Sequence, residues 1–292
     1  MINKILSFLL ACLFLPAMAQ EIDTTTVAAP SQQEQLLVYE NPTIAVYVGD
    51  ISYVPMTKGQ KTANVITGLL NSEVSVEDES MVAGAMESLA GCLRDVNRFQ
   101  IFSGEPSAEN LEKGCLQLTG KVIFCNVTER LNDKVMDKEA RIVAYITLIN
   151  PKTKQVVMNK QVVGAAWLSV FHTMAALRDA ALNNLWVDAA SSLRRAYPLR
   201  GHMLEKGFEK GKKQKLKEFY IDLGSQDRLF RNSTVDVYTV KRIAGRIARQ
   251  YIGSGQVLDV QGDDISICKV TRNGDLIKNA WDNGAEIAIS VY

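Results

Sequence analysis

His172 and His202 are the only imidazoles in the 292-residue chain. Neither has a cysteine, histidine or carboxylate at metal-ligand spacing, so each reads as a surface or hydrogen-bonded residue rather than a ligand or base. Five cysteines are present, and four lie beyond the N-terminal apolar run: Cys92, Cys115, Cys125 and Cys268. None belongs to a Cys-x-x-Cys pair, which favours buried free thiols over a disulfide or metal framework. Asp259, Asp263 and Asp264 surround Gly262 without the alternating spacing of a calcium loop and read as a solvated turn. Glu77, Asp78 and Glu79 stand at a helix start, where the helix dipole accounts for them without catalysis.

Nucleotide and hydrolase motifs are missing. No Gly-x-Ser-x-Gly elbow occurs. Gly253-Ser-Gly255 reads as a loop entering a strand, not a dinucleotide fingerprint. The basic run Lys206–Lys217 fails as a phosphate loop, because Gly207 and Gly211 are too close and Lys213 stands where Ser or Thr is required. Such a run reads as a solvated linker or hinge hairpin. Lys and Arg number 33 against 32 acidic residues, a net charge of +1. That balance gives no global field for nucleic acid. The expectation is a non-enzymatic protein with no catalytic residue, no metal, no cofactor and no nucleic-acid partner. A sequon at Asn126-Val-Thr128 is too short a motif to argue from.

The elements that would position these residues begin with an export signal. Lys4, the apolar run Ile5–Leu15 and the Ala17-Met18-Ala19 exit form a secretory signal peptide, with cleavage between Ala19 and Gln20. The apolar run is too short to span a bilayer. Leu9-Leu10-Ala11-Cys12 also has the form of a lipobox, but Cys12 sits midway along the apolar run, which favours cleavage at Ala19. Residues 20–41, rich in Thr, Gln and Ala, read as a flexible tether. A periplasmic location follows, with outer-membrane association as a further option.

Residues 43–205 read as an α/β domain. A strand at Thr43–Gly49 is followed by a polar excursion over 53–77 with the apolar patch Val65, Ile66, Leu69 and Leu70. Helices are predicted over 78–97 and about 173–197 from their 3–4 spacing, with Leu89 and Leu185 on the core stripes. Strands are predicted at Leu116–Val127, Arg141–Asn150 and Gln155–Ala165. Residues 215–292 read as short strands separated by turns, Asn273-Gly274-Asp275 among them, and predict a small all-β barrel.

Four stretches resemble the curli secretion component (CsgG) family, which is related to the TolB N-terminal domain. They are Thr43–Tyr47, Ser88–Phe102, Leu116–Val122 and Tyr145–Val157. The C-terminal part resembles the barrel of flagellar assembly protein T, notably in Asn232–Tyr238 and Ile252–Val260. The resemblance implies a mixed sheet backed by helices, then an SH3-like barrel. It also implies a role in envelope or surface-structure assembly through envelope proteins or self-association. Family members add two membrane hairpins per subunit to a shared barrel. Here the first candidate insertion, Thr128–Glu139, is short and charged, and the second, Trp167–His172, is shorter still. The expectation is therefore an adaptor or scaffold rather than a channel. A secretion-channel component, or an activator of a peptidoglycan synthase or hydrolase with peptidoglycan association, is the alternative. Trp167 and Phe171 are the candidate interface residues, apolar where a loop normally faces solvent.

Overall fold

Both predicted helices bury their stripes against one face of one sheet. The computed structural model describes residues 39–55, 73–132, 135–167, 173–211 and 215–292. Ala19, Gln20, Cys12, the tether up to residue 38, the apolar patch at 65–70, Phe171 and His172 lie outside the described residues. The strands of the first part are β1 (Ile44–Tyr53), β2 (Glu73–Glu77), β3 (Phe99–Phe102), β4 (Leu116–Asn132), β5 (Val135–Ile149) and β6 (Val156–Trp167). They pair in the order β3-β1-β4-β5-β6, with β2 alongside β4. The contacts of β1 with β3 and β4 are parallel, and the others are antiparallel.

The helices are α1 (Val82–Gly91), α2 (Ala108–Glu112) and α3 (Met174–Ala196). Asp78 caps a 3-10 turn ahead of α1, accepting from Ser80 N at 3.0 Å. Thr173 caps α3, accepting from Ala176 N at 3.1 Å. Leu89 of α1 and Leu177, Ala181, Leu185, Ala189 and Leu193 of α3 are fully buried. They meet Val46, Leu118, Ile142, Ala144, Ile146 and Leu148 of the sheet in one apolar core. Gly164 of β6 lets α3 approach closely, since a Cβ there would lie 2.1 Å from the Ala181 carbonyl oxygen. α3 also seals part of the open edge of β6: Val163 N donates to Asp188 at 2.8 Å, and Asn184 donates to Ala165 O at 2.7 Å.

The second part is a closed barrel of β7 (Leu199–Lys206), β10 (Glu218–Ile221), β11 (Thr234–Ile243), β12 (Arg246–Val260), β13 (Ser266–Arg272) and β14 (Ile287–Val291). Its own core is centred on Phe219, Val235, Val237, Cys268 and Ile289. A small hairpin of β8 (Glu209–Lys210) and β9 (Lys215–Leu216) joins β7 to β10. One helix, α4 (Gly274–Asp282), packs Ile277 into the barrel core. Both parts belong to one contact unit, Val38–Tyr292. Asn97 donates to Arg228 O at 2.6 Å, and Arg228 donates back to Phe99 O at 2.9 Å.

Several expectations are corrected. The barrel takes its first strand from Leu199–Lys206, which the sequence placed in the α/β part, and Lys206–Lys217 joins two neighbouring barrel strands instead of two domains. The barrel is not all-β, because Asn273, at φ 56°, opens α4 where a plain turn was expected. The polar excursion at 53–77 ends in β2. The presumed insertion Thr128–Glu139 is mostly ladder, paired as far as Asn132 with Val135. Charged cross-strand partners such as Glu129 and Lys138 hold it, so no apolar alternation marks it in the sequence. The end of the tether is fastened: Asn41 bonds both the N–H and the C=O of Arg200, each at 2.9 Å.

Candidate functional site

Trp167 ends β6 and pairs with Glu139 of β5, which pairs in turn with Thr128 of β4. The adjacent residues Val127, Ala140 and Ala166 are buried in the core beneath the helices. Alternation along the strands therefore puts Trp167 on the opposite face of the sheet. It is 53% exposed. Tyr145, an even number of positions along β5 from Glu139, shares that face and is also exposed. The structure thus places one of the two candidate interface residues on an accessible surface. Phe171 lies outside the described residues.

A cleft of about 510 Å³ runs between the end of α3 and the barrel. Arg194, Arg195, Asp236, Tyr251, Arg272 and Tyr292 line it. Asp236 accepts hydrogen bonds from the hydroxyls of Tyr292 and Tyr238. Burial, and then the Asp236 carboxylate, push both phenols above their ordinary range. Arg195 lies over the Tyr292 ring at 5.4 Å. Two of the three cations sit in the last turn of α3, where the helix dipole favours them.

His202 is hydrogen-bonded, as its surroundings in the sequence suggest: its Nδ1 is 2.9 Å from Asp222. Its other nitrogen is 3.9 Å from Glu286, so two carboxylates flank one ring. The Tyr39 ring packs against that ring at 4.7 Å with a 32° tilt, with Arg249 over Tyr39 at 5.1 Å. Nothing in the sequence hints at this cluster, since its five members come from five separate segments. The two ring nitrogens face different partners, an arrangement that orients the imidazole without creating a common ligand site. Among the described residues no group of three or more His, Cys, Asp or Glu side chains could hold a metal ion. Lys278 donates hydrogen bonds to the carboxylates of Glu209 and Asp282, which hold its ammonium charged; the first ties α4 to β8.

No family model matches the chain, and no curated protein does. Solved structures overlap it loosely. A hypothetical protein from Chlamydia trachomatis is 7% identical, with 53% of this chain and 97% of that one covered and a TM-score of 0.33. A neuraminyllactose-binding hemagglutinin homologue from Helicobacter pylori is 10% identical, covering 54% and 89%, with a TM-score of 0.34. A lipoprotein from Neisseria meningitidis is 11% identical, covering 52% and 99%, with a TM-score of 0.24. Overlap this loose says nothing of activity.

Proposed function

We propose that the chain is an exported, non-enzymatic adaptor or scaffold of envelope assembly, of the curli-component kind, with a barrel of SH3-like type. The observation that carries the reading is the sheet face opposite the helices, where the rings of Tyr145 and Trp167 stand accessible. Aromatic side chains on an open antiparallel face supply rigid contact area for a protein partner or a second copy. Among the described residues no helix is long and apolar enough to cross a membrane, a statement that leaves β-hairpins open.

The channel reading draws support from the extension of β4 and β5. That extension adds five residues to each strand beyond Val127 and Ala140. A spanning strand needs roughly 9–11. Glu129, Arg130, Asp137, Lys138 and Glu139 put charge at consecutive positions, where a membrane strand alternates. The adaptor reading is the better supported of the two.

Its test is cell fractionation together with sedimentation of the purified protein and a Trp167→Ala, Phe171→Ala variant. The expected result is release with the periplasmic or envelope fraction, and an assembly that the variant loses at unchanged melting temperature. Retention in the cytoplasm, or identical sedimentation of both proteins as monomers, overturns the reading.

A further inference from the structure

β11 and β12 leave the barrel wall together. β11 pairs with β14 as far as Thr239, and β12 pairs with β13 from Ser254 onward. Val240 is buried and its N–H still donates to Glu286 O at 3.0 Å; beyond it the two strands pair only with each other, out to Ile243 and Arg246. The three pairs from Lys241–Ala248 to Ile243–Arg246 form a ribbon that reaches roughly 10 Å past the wall. Ala244 and Gly245, at φ 50° and 75°, make the tight turn at its tip.

The composition of this ribbon is unusual for a turn. Residues 240–251 include Lys241, Arg242, Arg246 and Arg249 and no acidic residue. Ile243 is 61% exposed and Ile247 48%. Loop tips normally carry polar residues, and a lone two-stranded ribbon is marginal in water. Register places Ile243 opposite Arg246 and Ile247 opposite Arg242. Successive pairs point to opposite faces, so each face of the tip carries one isoleucine beside one guanidinium. A protein groove would cover one face and leave the other isoleucine wet. Nucleic acid offers phosphates but no apolar layer. A lipid surface surrounds an inserted tip, taking both isoleucines below the headgroups while the cations meet phosphates.

We propose that the β11–β12 ribbon is a membrane-docking element that dips its tip into an anionic bilayer surface. Ile243 and Ile247 enter the boundary between headgroups and acyl chains, and Lys241 and Arg246 bind lipid phosphates. Arg249, stacked on Tyr39, fixes the ribbon's base to the body of the protein. The proposal is independent of the adaptor reading, because neither Trp167 nor the open sheet face enters it.

The test is co-sedimentation of the purified full chain with vesicles of mixed phosphatidylglycerol and phosphatidylcholine, and with vesicles of phosphatidylcholine alone. An Ile243→Ser, Ile247→Ser variant and a Lys241→Gln, Arg246→Gln variant are run beside it. All three proteins carry the same N-terminal apolar run, so its contribution cancels. The substitutions lie outside both cores, and equal melting temperatures verify the fold. Wild type should bind the anionic vesicles about tenfold more tightly than the neutral ones, and less so as salt rises. Each variant should bind the anionic vesicles about tenfold more weakly. Equal binding of wild type to both vesicle types, or no binding, overturns the proposal. So does an isoleucine variant that binds like wild type, which would mean contact with a polyanion without insertion.

Discussion

Arg178 of α3 donates its Nε–H to the carboxylate of Asp78 at 2.7 Å, joining residues 100 positions apart. Asp78 also caps the turn leading into α1, and its own N–H donates to Cys125 O at 2.8 Å. One residue thus links β4, the start of α1 and the first turns of α3. Burial disfavours the charged carboxylate, but hydrogen bonds from Ser80 and Arg178 and the Arg178 charge outweigh it and hold the group below its ordinary range. A depressed carboxyl contributes stability that is present above its unfolded value of about 3.9 and is lost as pH falls through the lower folded value. Asp78→Ala should cost about 1–3 kcal/mol at neutral pH, toward the lower end because Arg178 is partly solvated. Urea unfolding of both proteins at pH 7 and at pH values below the unfolded one checks this. A gap that fails to narrow on acidification would show that the ion pair is not its source.

Leu89 and Leu185 are both fully buried in the α/β core. Truncating either to Ala should destabilise by ~2–5 kcal/mol, through lost transfer energy and the cavity left behind. Denaturant midpoints with an unchanged slope are the measurement. Wild-type midpoints in both variants would contradict the packing of the two helix stripes.

Gly164 tests the same layer from the sheet side. An added Cβ would meet the Ala181 carbonyl oxygen at 2.1 Å and Leu185 Cβ at 2.7 Å. The first obstacle is backbone, so α3 itself would have to move. Gly164→Ala should therefore cost roughly 1–3 kcal/mol or more, as overpacking does. It should also loosen the two side-chain caps that α3 places on β6. Thermal melting, with amide exchange at Val163 as a local probe, would detect both effects.

The sequence exposed the helix stripes because they bury one side of a 3.6-residue period, and Leu177, Leu185 and Leu193 show that period directly. It concealed the outer reaches of β4–β5 and β11–β12. There Glu129, Lys138, Lys241 and Arg246 break the alternation that marks a half-buried strand. Asn273-Gly274-Asp275 carried turn chemistry that is real, since Asn273 is left-handed, but it starts a helix. Leu199–Lys206 gave no hint of its partners, which are β10 and the much later β14. Of the candidate site, the aromatic character of Trp167 was legible. The His202 cluster was not, because Tyr39, Asp222, Arg249 and Glu286 meet only through barrel closure.

The thiols give a last prediction. Cys92, Cys115, Cys125 and Cys268 are free and buried. Burial pushes Cys92, Cys125 and Cys268 up to about 12, aided at Cys92 by Asp95 and at Cys125 by Asp78 and Glu77. Burial raises Cys115 as well. The thiolate is the reactive form, so native protein at pH 8 should resist a thiol reagent, and denatured protein should react at all four. Raised thiols contribute stability that is full below the unfolded value of about 8.5 and is lost as pH rises toward the folded one. Cys115 should be the first to label, because it follows the loop residue Gly114 at the start of β4, where local opening suffices. The other three belong to or touch the two cores and require wider unfolding. Mass spectrometry of timed labelling reads the order, and Cys268 or Cys92 labelling as fast as Cys115 in native protein would count against it.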